Sequence, residues 1–414
     1  MDPMLPSGTA VNRRRLEDLA VDLVAKASRL AAQLHSNIRT EVGTLVRSMN
    51  CYYSNLIEGH NTHPVDIDRA LREDYSKNPT KRALQLEARA HIEVQAMLDS
   101  ATPDKPPGLG EPPATVAFIR GVHGEFCSRL PDDLLWVEDP TSGERIRVVP
   151  GELRQRHVKV GRHVPVSAGA VARFLSRFEA AYRTANLSRV EQLVAVPAAH
   201  HRLLWIHPFI DGNGRVTRLM SHAMFRDTGI GTSLWSVARG LARNDADYKR
   251  LLMAADERRH DDFDGRGALS EAALTEFCDF FLRVCVDQVE FMDSILNAGA
   301  LLGRIEAWLA EQVAVGALHP KSFPLIREAF QKGSLDRGRV PDHTGLGERQ
   351  ARNVLSQLIE RGVMASSGHR DPVRLVFPGE LAERWFPNLY PNLSDVARER
   401  RGAGPGANPT NLPL

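Results

Sequence analysis

The sequence predicts a mainly α-helical protein with one small β-hairpin near its middle and a helix, turn, helix, hairpin unit toward its C-terminus. Two observations predict it. Apolar residues step by threes and fours through most of the chain, as in Leu16, Leu19, Leu23, Ala27, Leu30, Leu34 and Ile38, the spacing that builds one buried stripe on a helix. Strand-like alternation around turn residues is confined to two places, 145–161 and 363–377. With 43% hydrophobic and 25% charged residues the composition is that of an ordinary globular chain. A length of 414 residues allows two or three domains whose cores need no cross-links.

A formal charge of +2 argues against a nucleic-acid coat or an acidic tail. Cys51, Cys127, Cys278 and Cys285 form no Cys-x-x-Cys pair and read as buried small apolar residues of a reducing compartment. No apolar run reaches the length of a signal peptide or a membrane span, so the expected address is cytoplasmic.

In chain order, helical periodicity runs from 16 to about 53, as one helix or two, and leads into Ser54-Asn55-Leu56-Ile57-Glu58-Gly59 before Pro64 breaks it. Residues 66–99 are helical, and the proline- and glycine-rich 101–114 is a linker. Residues 116–129 form a helix with His123 on its apolar side, as a core histidine. The first hairpin is expected between 145–149 and 157–161, turning at Pro150-Gly151. Helices follow at 171–182, 188–206, 236–253 and 270–302, with an exposed loop at 256–268. His200 and His201 lack the His-Glu-x-x-His spacing of a metal helix and are assigned to packing or surface roles. Tyr248 is a candidate for stacking or hydrogen bonding at a nucleobase.

The remainder gives helices within 305–330 and a helix opened by Arg349 and Gln350, capped by Gly362. Two short strands, 363–365 and 373–377, flank Ser367-Gly368-His369-Arg370. That is the outline of a winged helix-turn-helix, with Arg349, Gln350, Arg352 and Asn353 outward on the second helix and Arg370 and Arg374 on the wing. DNA and protein are both partners such a module takes. The tail, 396–414, reads as disordered.

The chemistry concentrates in His207-Pro-Phe-Ile-Asp-Gly-Asn-Gly-Arg-Val-Thr-Arg218. Gly212 and Gly214 permit a turn whose N–H groups point one way, and Val216, Leu219, Met220 and Ala223 continue it as a helix. A helix N-terminus of that kind binds anions. Arg215 and Arg218, three apart, reach one phosphate group together. Asp211 is a hard ligand for magnesium beside phosphates, and His207 is a base at neutral pH.

This stretch resembles the signature of the Fic family of protein adenylyltransferases, His-x-Phe-x-Asp/Glu-Gly-Asn-Gly-Arg-x-x-Arg, at every specified position. The resemblance implies that His207 deprotonates a hydroxyl of a target protein (Ser, Thr or Tyr), which attacks the α-phosphate of ATP. Gly212, Asn213, Gly214, Arg215 and Arg218 would hold the phosphates and Asp211 a Mg2+ ion. Ser54 to Gly59 resembles the family's inhibitory Ser/Thr-x-x-x-Glu-Gly/Asn segment, which implies that Glu58 pairs with Arg218 and holds the enzyme off. Val158, Lys159, Val160 and Gly161 resemble its flap, implied to clamp the target by strand addition.

The resemblance sets the units as 1–110, an N-terminal helical region with the inhibitory motif; 111–303, the catalytic core; 304–395, the winged helix-turn-helix; and 396–414, the tail. It leaves three alternatives open. The site removes AMP instead of adding it, it uses another nucleotide, or the chain is a DNA-binding regulator with the core as its sensor.

Overall fold

The computed structural model describes residues 1–390 except 11, 101, 103, 140, 141 and 231. The tail at 396–414 lies outside the described residues. Among the described residues sixteen α-helices and two small hairpins follow in order. The first part comprises α1 (Arg13–Ala32), α2 (Ser36–Ile57), α3 (Pro64–Leu71), α4 (Pro79–Asp99), α5 (Val116–Cys127), β1 (Trp136–Glu138) and β2 (Arg145–Arg147). The middle holds α6 (Val171–Tyr182), α7 (Arg189–Ile206), α8 (Asn213–Asp227), α9 (Val237–Arg243), α10 (Asp245–Ala254) and α11 (Glu271–Leu296). The end holds α12 (Ala298–Ala314), α13 (Phe323–Lys332), α14 (Val340–Thr344), α15 (Glu348–Glu360), β3 (Met364–Ala365), β4 (Arg374–Leu375) and α16 (Gly379–Trp385).

The periodicity at 16–53 resolves into two helices, because the chain turns at 33–35 and His35 caps α2 through its ring nitrogen on the Asn37 N–H. The centre of the core is α7, packed by α1, α6, α8 and α11. Ser188 and Glu191 form a capping box at its start, and nearly every side chain from Leu193 to Leu203 is buried. A helix buried all round fixes the position of its last residue firmly, and that residue leads into His207.

The stretches expected as single helices at 66–99, 236–253 and 270–302 each resolve into two, and the first hairpin takes a different partner. Residues 145–147 do pair as a strand, but with 136–138 upstream, Trp136 opposite Arg147 and Glu138 opposite Arg145. Segment 157–161 keeps only the Val160↔His163 bridge around Gly161-Arg162. The physical reason is competition: Arg154, between the two segments, turns inward and is 2% exposed, so the chain cannot continue as an antiparallel ribbon.

At the C-terminus α13, an extended residue (Leu335, bridged to Val373), α14, α15 and the β3–β4 hairpin follow one another. This unit folds back on the N-terminal helices. Arg374 Nε donates to Glu41 on α2 at 2.8 Å, and Tyr53 on α2 donates to the Leu389 carbonyl at 3.0 Å. Arg374 is therefore engaged inward, and Arg352 is paired with Glu348 at 3.0 Å. All four cysteines are free and buried. Among the described residues no helix is long and apolar enough to cross a membrane.

Candidate active site

α7 ends because His207 adopts the left-handed conformation (φ 51, ψ 67) and Pro208 follows it. A non-glycine residue held there is costly and persists where its surroundings fix it. Arg154 is what fixes it. Its guanidinium donates from Nε to the His207 carbonyl at 2.7 Å, from Nη1 to Arg156 at 2.9 Å, and from Nη2 to Val166 at 2.5 Å and Ile206 at 3.4 Å, while its backbone N–H reaches the Pro208 carbonyl at 2.9 Å. Charged donors to buried carbonyls contribute about 1.5–3 kcal/mol each. Arg154→Ala is therefore expected to lower unfolding stability by at least about 2 kcal/mol, read from denaturant midpoints. Arg154→Lys should fail to restore it, since an ammonium lacks the fork.

The loop after His207 is braced from below. Phe209, fully buried, stacks on His123 at 3.9 Å with the rings 3° from parallel. His123 Nδ1 accepts from the Gly151 N–H at 2.9 Å, which leaves its proton on Nε2, 3.3 Å from the Asp211 carbonyl. Asn213 closes the loop, exchanging two 2.9 Å hydrogen bonds with the backbone of Phe209. Its side chain is thus spent on the turn, and what it offers an anion is its backbone N–H at the start of α8.

That start is open. Gly212 takes φ 79 as the N-cap and, having no side chain, caps none of the first N–H groups. Lying against it is Glu58, at the C-cap of α2. A Cβ at position 214 would collide with Glu58 Oε1, so only glycine permits this approach. The same oxygen accepts from Arg218 Nη2, while Arg218 Nε donates to Ser54 Oγ at 2.8 Å and Nη2 to the Ser54 carbonyl at 3.3 Å. Burial pushes the Glu58 carboxyl up, but Arg218 and Arg215 outweigh it and hold it below the usual carboxylate range. The anion place at the head of α8 is occupied by the chain's own carboxylate.

Arg215 has a partner that the sequence did not suggest. Its Nη2 donates at 3.1 Å to Glu87 on α4 and lies 3.1 Å from His60 Nδ1, and its guanidinium sits 5.3 Å over the Phe126 ring. Its buried Nε has no hydrogen-bond partner among the described residues. Glu87 left no signal in the spacing, while His60 stands two residues beyond Glu58.

Asp211 is exposed, and its carboxylate makes no hydrogen bond or ion pair among the described residues. One free carboxylate beside an anion place fits magnesium, which takes its other ligands from phosphates and water. Tyr248 is not where a nucleobase could meet it. It is 1% exposed, and its hydroxyl lies 2.8 Å from His200 Nε2 in a core also lined by Phe277. The helical spacing that nominated it places it on the inward face of α10. His200 and His201 are likewise buried, bonded to Ser221 and Leu252 respectively. In the flap segment, Lys159 and Gly161 are exposed and Val158 and Val160 half-buried.

Burial depresses His91 and His207 to about 3 and His123 to about 4, and lowers His200 and His201 below the ordinary 6.5. At His207 the charges of His163 and Arg154 add to that depression. Each ring stays neutral in the fold but takes a proton in the unfolded chain below pH 6.5, so stability falls as pH drops from 6.5. His163, which is raised, opposes them. The loss approaches roughly 1.4 kcal/mol per pH unit for each such ring. Urea midpoints at pH 7 and pH 5 should therefore differ clearly, the lower at pH 5; equal midpoints would contradict the neutral-histidine core.

Residues 115–225 match the Fic/DOC family. A protein adenylyltransferase Fic of Drosophila erecta is 34% identical over 97 residues, 23% of this chain and 20% of that protein. One of Drosophila yakuba is 35% identical over 97 residues, again 23% and 20%. The match thus spans about a fifth of the length of these curated relatives. Among solved structures, a Fic family protein from Desulfovibrio desulfuricans has a TM-score of 0.48 at 18% identity, covering 86% of this chain and 96% of that one.

Proposed function

We propose, from the membership of residues 115–225 in the Fic/DOC family, that this chain is a protein adenylyltransferase that moves AMP from ATP to a hydroxyl side chain of a target protein and is held idle by Glu58. The observation that carries the reading is the Glu58 carboxylate seated on Gly214 and Arg218 at the open head of α8. A site built for anions, closed by an internal anion, is what an autoinhibited phosphate-transfer centre requires. The names of the Drosophila relatives support AMP as the group transferred.

In this reading the target oxygen loses its proton to His207 and bonds to the α-phosphorus. The bond from that phosphorus to the bridging oxygen breaks, and pyrophosphate leaves. Backbone N–H groups at 213–215 and the Arg215 and Arg218 guanidiniums hold the phosphates, Arg215 being oriented by Glu87 and Phe126. Magnesium, when bound through Asp211, supplies positive charge against the phosphates. Segment 158–161, beside the base, receives the target chain. We read the C-terminal unit, whose order is helix, extended residue, two helices and hairpin, as a winged helix-turn-helix docked on α2.

The test is incubation with α-labelled ATP and magnesium of wild type, Glu58→Gly, and Glu58→Gly with His207→Ala, reading label on the chain itself or on lysate proteins. Label confined to the single variant supports the reading. Label in none of the three would redirect it to another nucleotide or to AMP removal.

A further inference from the structure

The turn Gly161-Arg162 at the end of the flap is closed by the Val160↔His163 bridge. His163 faces inward, toward the end of α7 and Asp256, two residues past α10. Both of its ring nitrogens meet acceptors: Nε2 lies 2.9 Å from the Trp205 carbonyl, and Nδ1 lies 3.0 Å from Asp256 Oδ2. A carbonyl and an ionised carboxylate can only accept, so both nitrogens must donate, which the imidazolium alone can do.

The other oxygen of Asp256 lies 3.1 Å from His201 Nε2, which is also 3.0 Å from the Leu252 carbonyl. His201 Nδ1 lies 2.9 Å from Arg202 Nη1, and an arginine only donates. The proton of His201 is thereby placed on Nε2 alone, and that ring is neutral. One carboxylate therefore serves two histidines in different charge states. The charged one sits against the last turn of α7, where unsatisfied carbonyls and the negative dipole end favour a cation.

We propose that His163 is a positioning residue whose imidazolium pins the flap turn to Asp256 and to the Trp205 carbonyl, two residues before His207, and that loss of its proton frees the flap. This rests on the reading of 158–161 as the target-holding segment and of His207 as the base. The groups that face His163 are Asp256, with His201 behind it, Arg154 and His207. Burial lowers His163, but the hydrogen bond and charge of Asp256 and the Trp205 carbonyl outweigh it and leave the ring above the ordinary 6.5. Asp256 is held down to about 2, since both histidines outweigh its burial. The sign follows: the clamp is complete below pH 6.5 and is lost as pH rises through the raised value.

The experiment uses the full chain with ¹⁵N-labelled histidine. At pH 6 His163 should show two protonated ring nitrogens and titrate above 6.5, and Asp256→Asn should return the titration to 6.5 or below. In parallel, trypsin cleavage after Lys159 and Arg162, normalised to a free peptide at each pH, should accelerate as His163 deprotonates. In Asp256→Asn it should already be roughly 5- to 30-fold faster at pH 7. A His163 that titrates at or below 6.5, or cleavage that follows neither pH nor the loss of Asp256, overturns the proposal. The wild-type titration needs no variant, so misfolding of Asp256→Asn cannot shield it. Neither readout involves nucleotide, so failure of the transferase reading appears separately, as absence of label in Glu58→Gly.

Discussion

Replacing His207 by alanine in the Glu58→Gly protein is expected to cut transfer from ATP by roughly 10²- to 10⁴-fold, the range that general-base catalysis supplies. Position 207 has φ 51, a conformation asparagine tolerates far better than alanine. His207→Asn is therefore the companion variant: it keeps the bend at the end of α7 and removes the base. Equal loss in both, with unchanged melting in the asparagine form, assigns the effect to proton transfer. The depressed imidazole, at about 3, is neutral throughout pH 5–8. The kcat/KM profile, which reports the free enzyme, should show no acid limb near 6.5 wherever circular dichroism reports a folded chain. So weak a base is a poor match for a hydroxyl, and the bound nucleotide corrects this: several negative charges placed beside His207 favour its protonated form and raise it. A limb near 6.5 in the rate of the enzyme saturated with ATP, absent from the free enzyme's profile, would be the sign of that correction.

Much of this site was legible because its residues are contiguous. Spacing alone put the turn, the arginines, Asp211 and His207 at one helix start. What escaped depends on contacts between distant segments. Arg154 stands 53 positions from His207 and Glu87 128 from Arg215, and nothing in local pattern announces such pairs. Two side chains of the candidate site are engaged elsewhere for a shared reason. Asn213 and Tyr248 have side chains able to meet a nucleotide, yet each turns inward, to the backbone of Phe209 and to His200. Residue type records what a side chain can bind, whereas burial decides what is left to bind it. The hairpin erred in the same way. Residues 145–147 are a strand, but alternation does not name a partner, and the inward turn of Arg154 left them 136–138.

Loss of the Glu58 carboxylate should have the opposite effect on activity, a gain of roughly 10²-fold in Glu58→Gly. A nucleotide phosphate at the head of α8 must displace that carboxylate from Arg218, whose side chain is 4% exposed against 19% for Glu58. Breaking so enclosed an ion pair costs about 3–5 kcal/mol. The competent form is then below roughly 1% of the population, and removing the competitor restores the remainder. Stability should move the other way. Without ATP, Glu58→Gly leaves Arg218 without its carboxylate partner, so the variant should melt lower than wild type, and ATP with magnesium should recover much of that loss because it binds the folded state alone. Glu58→Gln separates charge from shape: it fills the same space and donates or accepts one hydrogen bond, but does not repel a phosphate. If repulsion is the brake, its activity approaches that of the glycine variant; if occupancy is the brake, it stays near wild type. Activity in wild type equal to that of Glu58→Gly would mean that the contact seen at Gly214 and Arg218 yields to ATP unaided, and the inhibitory reading would be lost while the catalytic role of His207 stood.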